Sequence, residues 1–125
     1  MKSNWFSICR ILERKPFFNR FNRDILTRYI GRAEVEYFEK DKIVFLKDRV
    51  GVITHGSVRV VSHQYGIMNP LTIGRYKEGR IIGHGESDNF ITVNPQTWFI
   101  VFDEGTEVLF FKKQDFNELW GLQSM

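Results

Sequence analysis

The feature that most constrains the fold is an alternation of apolar side chains with a period of two, which begins after Gly31 and is interrupted by frequent turns. Alternation of this kind is typical of strands that cover a core with one face. Turn-forming residues separate the predicted strands at 39–42, 47–49, 55–57 and 103–105. Many short strands joined by turns predict an antiparallel sandwich or barrel. The alternating positions are Val35 and Tyr37; Ile43 and Phe45; Val50, Val52 and Thr54; Val58 and Val60; Leu71 and Ile73; Trp98, Ile100 and Phe102; and 107–111.

Two helices are predicted before the first strand. Over Trp5–Leu12 the apolar residues recur at helical spacing. Pro16 is expected to end this helix, because the residue before a proline avoids helical geometry. The second helix is predicted to begin after Asn22, a good N-cap residue, and to stop at Gly31.

The end of the chain, 114–120, is predicted to form a short closing helix. Its apolar face consists of Phe116, Leu119 and Trp120. A length of 125 residues with 42% hydrophobic residues is enough for one domain with its own core. We therefore expect a helical extension over residues 1–15 and one mainly β domain over residues 16–125.

Charge and cysteine content exclude several classes of protein. Lysine and arginine exceed aspartate and glutamate by 18 to 15, and a net charge of +3 is too small and too dispersed to indicate a nucleic-acid binder. No apolar run approaches the ~18–20 residues that span a bilayer. Cys9 is the only cysteine, which excludes an intrachain disulfide and fits a reducing compartment, so we expect a cytoplasmic protein. The stretch before Glu13 has no acidic residue, which leaves organelle targeting as an alternative.

The stretch 71–98 differs in composition from the rest of the chain, because it combines four glycines with a cluster of small polar residues. Glycine permits tight turns and the close approach of a ligand. Ser87, Asp88 and Asn89 are residue types that cap a short helix, and the free N–H groups of such a helix form a cradle for an anion. The alternative is a surface hairpin punctuated by glycines. The four glycines are Gly74, Gly79, Gly83 and Gly85.

Five stretches occur in the order of a known family. They are PFF (16–18), EKDKI (39–43), VITHGSVRV (52–60), GRIIG (79–83), and EGTEVL (104–109) followed by DF (115–116). They resemble, in turn, the opening "PFF", the "KGD-x-I" turn, the "YIILSGSVRV" hairpin, the "GDxFG" motif, and the last strand and closing helix of the cyclic nucleotide-binding domain. The resemblance covers about residues 17–120. It implies an antiparallel jelly-roll β-barrel with flanking N-terminal helices and a short C-terminal helix.

The resemblance also implies that the glycine stretch is a phosphate-binding cassette. In that family a glutamate accepts a hydrogen bond from the ribose hydroxyl, an arginine neutralises the cyclic phosphate, and backbone N–H groups complete the cradle. Here the glutamate has two registers: if Gly83 matches the family glycine, His84 takes its place, and if Gly85 does, Glu86 keeps the acid. The candidate cassette residues are Gly83, His84, Gly85, Glu86, Ser87, Asp88, Asn89, Gln96 and Thr97.

Two departures from the family pattern argue against a working cassette. The residue after Pro95 is Gln96, whereas the family has an arginine, and a glutamine brings no charge and no bidentate fork. Losing a charge-assisted pair costs about 2–5 kcal/mol, a large part of a micromolar binding energy. Arg75 and Arg80 are alternative cations that we expect to point to solvent. Only five residues follow Trp120, so we expect neither a lid helix nor a helix-turn-helix.

These departures predict a non-enzymatic regulatory or structural subunit that contacts other proteins and needs no cofactor. The main alternative is a working sensor of cyclic AMP or cyclic GMP, in which Glu86 holds the ribose. A weaker alternative is a cupin-like metal protein that uses His84 and Glu86, although the HxH signature of that family is absent. No Ser/His/Asp or Cys/His arrangement with supporting motifs indicates an enzyme. The expected partner-docking anchors are Trp5, Phe6, Ile8, Leu12 and Trp120.

Overall fold

The computed structural model describes residues 5–62, 71–84 and 97–122. Within these ranges the chain forms two antiparallel β-sheets with helices at both ends. The helices are α1 (Trp5–Leu12), a short 3₁₀ helix (Phe18–Arg20), α2 (Arg23–Ile30) and α3 (Lys113–Leu122). The strands are β1 (Glu34–Phe38), β2 (Arg49–His55), β3 (Val58–Ser62), β4 (Leu71–Tyr76), β5 (Ile81–Ile82), β6 (Thr97–Val101) and β7 (Thr106–Lys112).

The boundaries of the two leading helices are confirmed. Helix α1 ends before Pro16, and α2 begins after Asn22, whose side-chain oxygen accepts a hydrogen bond from the N–H of Ile25 at 2.9 Å. Gly31 does end α2, but its φ of −62° is right-handed. Its N–H bonds to the carbonyl of Thr27 at 2.9 Å, so the helix stops without the left-handed turn that glycine usually supplies.

The strands divide into a four-stranded sheet, ordered β1-β7-β2-β5, and a three-stranded sheet, ordered β4-β3-β6. The consecutive strands β2 and β3 therefore lie in different sheets. The turn predicted at 55–57 exists, but it is a corner between sheets and not the hairpin that the sequence resembles. Gly56 occupies this corner with a φ of +84°, a conformation that strongly favours glycine.

The four-stranded sheet is covered on both faces. In β7, Leu109 and Phe111 belong to a core cluster shared with the helices. Val108 and Phe110 belong to a second cluster that lies between the two sheets. Because both faces are covered, β7 is buried from Thr106 to Phe111, as a nearly continuous apolar strand requires. The overall arrangement is the mainly β jelly roll with flanking helices that the sequence predicts.

The alternation predicted in β6 exists, but in the opposite phase. Phe99 and Val101 face the core, with 4% and 0% of their surface exposed, whereas Trp98 is 43% exposed and Phe102, just beyond the strand, is 37% exposed. Both phases of this strand carry large apolar residues, so the pattern alone does not choose between them. Pairing with β3 fixes the choice by placing Val58 opposite Val101.

The strand predicted around Ile43 and Phe45 is reduced to one bridge. Ile43 pairs with Ile100 as an isolated antiparallel bridge. Val44 is the buried residue here, while Phe45 is 62% exposed. The N–H of Val44 bonds to the carbonyl of Phe99 at 2.8 Å, which holds this segment against the three-stranded sheet.

Helix α1 packs into the main core. Ile8, Cys9 and Leu12 are buried there, and the Cys9 Sγ lies 3.8 Å from the Thr27 Oγ1 of α2. The prediction that Ile8 and Leu12 serve as surface anchors is therefore wrong, because α2 and the four-stranded sheet cover this face of α1. The boundary predicted after residue 15 stays a prediction. None of the helices in the described ranges is long and apolar enough to cross a membrane.

Candidate functional site

The structure describes three of the candidate cassette residues. Gly83 and His84 follow β5, and Thr97 is the first residue of β6. The candidate cassette thus begins at the end of β5 in the four-stranded sheet and ends at the start of β6 in the three-stranded sheet. The predictions made for the remaining cassette residues stay predictions, because these residues lie outside the described ranges. They are Gly85, Glu86, Ser87, Asp88, Asn89 and Gln96.

Gly83 occupies a position that only glycine fits. Its φ is +89°, and a Cβ added there would lie 2.6 Å from the Leu46 Cδ1 and 3.2 Å from the Arg49 carbonyl oxygen. A side chain would require both a strained backbone and movement of its neighbours. The glycine predicted at the start of the cassette therefore has a structural reason in this chain.

His84 packs against the closing helix. It is 9% exposed, and its ring centroid lies 4.9 Å from that of Phe116 and 4.5 Å from that of Trp120. In the register that places His84 at the family glutamate position, the side chain is engaged in aromatic packing. Within the described ranges, no three His, Cys, Asp or Glu side chains form a group that could hold a metal ion.

An aromatic cluster joins α3 to the segment before α2. Phe17 stacks on Trp120 at 5.3 Å between centroids with an interplanar angle of 23°, and it lies 5.4 Å from Phe116. Phe17 has a φ of 72°, which costs a non-glycine residue about 1–3 kcal/mol unless packing holds it. Because Phe17 and His84 both cover the Trp120 ring, only part of that ring is left for contact with a partner.

The two alternative cations are exposed, as predicted, but both have neighbours. The Arg75 Nε donates to the Ser57 Oγ at 3.2 Å, and its Nη2 lies 3.5 Å from the Asp103 Oδ2. The Arg80 guanidinium lies 4.2 Å from the centroid of the Tyr76 ring. The charge of Arg75 is thus partly compensated within the fold.

A buried polar cluster lies near the Gly56 corner, and sequence reasoning missed it. The Thr54 Oγ1 donates to the Glu107 Oε1 at 2.8 Å, with both residues at most 1% exposed. The Thr106 Oγ1 accepts from the N–H of Ser57 at 3.2 Å. These bonds tie β7 to β2 and to the start of β3. The available signal was a single glutamate in the otherwise apolar run 107–111.

Polar contacts also join the helices to one another. The Tyr29 hydroxyl of α2 donates to the Glu118 Oε2 of α3 at 2.9 Å. The pKa of the Tyr29 phenol is raised above its ordinary value, mainly by this hydrogen bond and to a smaller extent by burial. Near the end of α1, Arg23 donates to Glu13 at 2.7 Å. That hydrogen bond is the main reason why the pKa of the Glu13 carboxyl is lowered.

Two of the predicted docking residues are exposed. Trp5 is 54% exposed and Phe6 is 50% exposed, and their rings meet edge to face with 6.1 Å between centroids. Large aromatic side chains on a surface are typical anchors of protein interfaces. A role for Trp5 and Phe6 in docking stays a prediction.

Comparison with known structures assigns the fold. The chain is similar to the regulatory domain of Toxoplasma gondii protein kinase A with cAMP, at a TM-score of 0.74 and 14% identity over 95% of this chain and 46% of that one. It is similar to the sensor domain of the transcriptional regulator DNR from Pseudomonas aeruginosa, at a TM-score of 0.75 and 10% identity over 96% of this chain and 81% of that one. It is also similar to the regulatory subunit of a cAMP-independent protein kinase A from Trypanosoma cruzi bound to guanosine. The TM-score is 0.74 and the identity is 12%, over 95% of this chain and 43% of that one.

These likenesses show that the chain has the fold of the cyclic nucleotide-binding domain, which confirms the resemblance at the level of the fold. The chain spans about half the length of the two kinase regulatory structures. No family model matches the sequence, and no curated protein matches it.

Proposed function

We propose that this chain is a non-enzymatic regulatory or structural subunit that acts through contacts with other proteins and does not hold a cyclic nucleotide. The observation that carries the proposal is the neutral Gln96, which follows Pro95 where the resemblance implies an arginine. A cyclic phosphate that leaves water needs a cation or a full set of donors to replace its hydration.

The surroundings of the two alternative arginines support this proposal. Arg75 already lies next to Asp103 and over the Phe102 ring, 4.0 Å from its centroid. Moving Arg75 to a phosphate would leave the Asp103 carboxylate without this cation. Arg80 would have to leave the face of Tyr76.

Similar structures give the proposal a precedent for the class of protein. One of them is described as the regulatory subunit of a cAMP-independent protein kinase A, bound to guanosine. The same fold is thus found in the regulatory subunit of a kinase that is described as cAMP-independent. Two of the similar structures are described as regulatory parts of protein kinase A.

The alternative function, a sensor of cyclic nucleotides, is favoured by the glycine turn at Gly83. A titration separates the two functions. Isothermal titration calorimetry of the purified protein with cyclic AMP and with cyclic GMP is expected to give no saturable heat. Saturable binding at low micromolar concentration would overturn the proposal, and Glu86→Ala would then be expected to abolish that binding. Glu39→Ala, which also removes one carboxylate but at an exposed position outside the candidate cassette, is the matched control and would leave that binding unchanged.

A further inference from the structure

A groove runs between helix α1 and the turn that joins β4 to β5. Lys15 covers this turn so closely that a Cβ added to Gly79 would lie 2.7 Å from the Lys15 Cδ. The turn is held in place because the Gly79 N–H bonds to the Ile53 carbonyl at 2.7 Å and the Ile53 N–H bonds to the Arg80 carbonyl at 3.1 Å. The groove consists of two cavities that share Glu78 in their linings, one of about 430 Å³ along α1 and one of about 600 Å³ along the turn.

The charges that line this groove are mostly positive, and we call it the basic groove. Its cations are Arg10, Arg14 and Lys15 on the α1 side and Arg75, Lys77 and Arg80 on the turn side, together with one carboxylate, Glu78. Among the described residues, no carboxylate lies within ion-pair distance of the three cations on the α1 side. The Glu78 carboxylate lies 3.5 Å from the His55 Nδ1.

Glu13, just after α1, accepts a hydrogen bond from Arg23 at 2.7 Å. Its own hydrogen bond from Arg23 is the main cause of its lowered pKa, and the charges of Arg10 and Arg14 lower that pKa further. Cations near the C-terminal end of a helix offset the helix dipole, which accounts for part of this cluster. The dipole does not account for Lys77 and Arg80, which come from a separate turn. An anion bound between Arg14 and Lys15 on one side and Lys77 on the other would be attracted by the charges of both sides.

An exposed aromatic pair continues the basic groove along α1. Phe6 precedes Arg10 by four residues and therefore lies on the same side of the helix. Trp5 and Phe6 are each about half exposed and contact each other edge to face. A basic groove next to an aromatic anchor is complementary to a peptide that combines carboxylates with an apolar side chain.

We propose that the basic groove binds an acidic segment of a partner protein, with Trp5 and Phe6 contacting an apolar side chain of that segment. This inference rests on the proposed function and adds the chemistry of the partner. A membrane fits less well, because the groove is concave and the apolar face of α1, with Ile8 and Leu12, is buried in the core. A nucleic acid fits less well, because Glu78 lies within the groove and the net charge is only +3.

Fluorescence anisotropy with two labelled peptides tests the proposal on the full chain. One peptide contains Asp and Glu residues around a single Leu, and the other replaces each Asp by Asn and each Glu by Gln. We expect the acidic peptide to bind at least about tenfold more tightly than the neutral one at low salt, with the preference falling as salt rises. Equal binding of the two peptides, or no binding of either, would overturn the proposal.

Charge reversal locates the site. Arg14→Glu together with Lys77→Glu is expected to weaken binding of the acidic peptide by at least about tenfold. Lys112→Glu together with Lys113→Glu is the matched control, because it changes the net charge by the same amount and both residues are exposed. Lys112 lies opposite Arg49 in the register of β2 and β7, at the end of the sheet away from the Gly56 corner. The control is expected to leave the affinity within about twofold. If the double variant loses its cooperative unfolding, Arg14→Gln with Lys77→Gln replaces it, with the same expected order.

Two parallel titrations complete the test. Vesicles containing phosphatidylserine and a DNA duplex are each titrated against the wild type and the double variant. Tighter binding of either one than of the acidic peptide, lost on charge reversal, would overturn the assignment of a protein partner. Failure of the peptide test leaves the proposed function to be judged by the nucleotide titration, so the two failures are distinguishable.

Discussion

The corner at Gly56 offers a stability prediction that follows directly from geometry. Gly56 has a φ of +84°, and a Cβ added there would lie 2.4 Å from the Thr106 Oγ1 and 2.9 Å from the Thr106 Cα. The Thr106 hydroxyl accepts from the Ser57 N–H and lies 2.7 Å from the Asp103 carbonyl, to which it donates. The substitution Gly56→Ala therefore disturbs the backbone, the packing and a hydrogen-bonded side chain at one point.

The expected cost can be summed from these contributions. A left-handed conformation costs a residue with a Cβ about 1–2 kcal/mol. Forcing a methyl group into a filled site costs about 1–3 kcal/mol, because the nearest atoms include the backbone of Thr106. Gly56→Ala is therefore expected to lower the free energy of unfolding by about 2–5 kcal/mol, a large share of the ~5–15 kcal/mol typical of a domain.

Urea denaturation followed by circular dichroism measures this cost. Gly74→Ala is the matched control, because Gly74 lies in a strand and a Cβ added there has nothing within 4 Å. The control is expected to change the free energy of unfolding by less than about 1 kcal/mol in either direction. If Gly56→Ala is no more destabilising than Gly74→Ala, the account of the corner is refuted.

Two further predictions concern the helices. Leu12→Ala is expected to lower the free energy of unfolding by about 2–5 kcal/mol because Leu12 is fully buried. Trp5→Ala, at an exposed position of the same helix, is expected to cost under about 1 kcal/mol, and equal urea midpoints for the two variants would contradict the packing of α1. Glu118→Gln is expected to lower the pKa of Tyr29 toward its ordinary value, measured by ultraviolet titration against a Tyr29→Phe reference. Because the pKa of Tyr29 is raised in the folded protein, the stability that the Tyr29 contact contributes is present below the ordinary phenol pKa and is lost as the pH rises through the raised value. A pKa of Tyr29 that is unchanged in Glu118→Gln would refute this contact.

Local signals in the sequence were enough to predict the helices and most of the turns. Asn22 carries its own capping group, and Pro16 excludes helical geometry from the residue before it, so neither depends on the rest of the fold. The turn at Gly56 was predicted for the same reason. Its role as a corner between sheets was not, because a turn residue does not specify which strands will pair.

The phase of β6 could not be predicted because both phases are apolar. Trp98 and Ile100 alternate with Phe99 and Val101, so a period of two gives two equivalent answers. The pairing of β6 with β3 decides between them through long-range contacts. A strand with one polar face would have left no such choice.

The candidate docking residues were predicted only in part. The amphipathic pattern of α1 shows that one face is apolar, but it does not show what covers that face. Ile8 and Leu12 are covered by the main core, while Trp5 and Phe6 remain exposed. The basic groove was missed because its two sides, α1 and the turn at 77–80, are far apart in the sequence.

The central claim is that the cassette does not bind a cyclic nucleotide because no arginine follows Pro95. Calorimetric titration of the wild type and of Gln96→Arg with cyclic AMP and cyclic GMP tests it most directly. We expect no saturable heat from the wild type, and saturable binding of at least one of the two nucleotides once Gln96→Arg supplies the guanidinium. Saturable binding by the wild type at low micromolar concentration would contradict it.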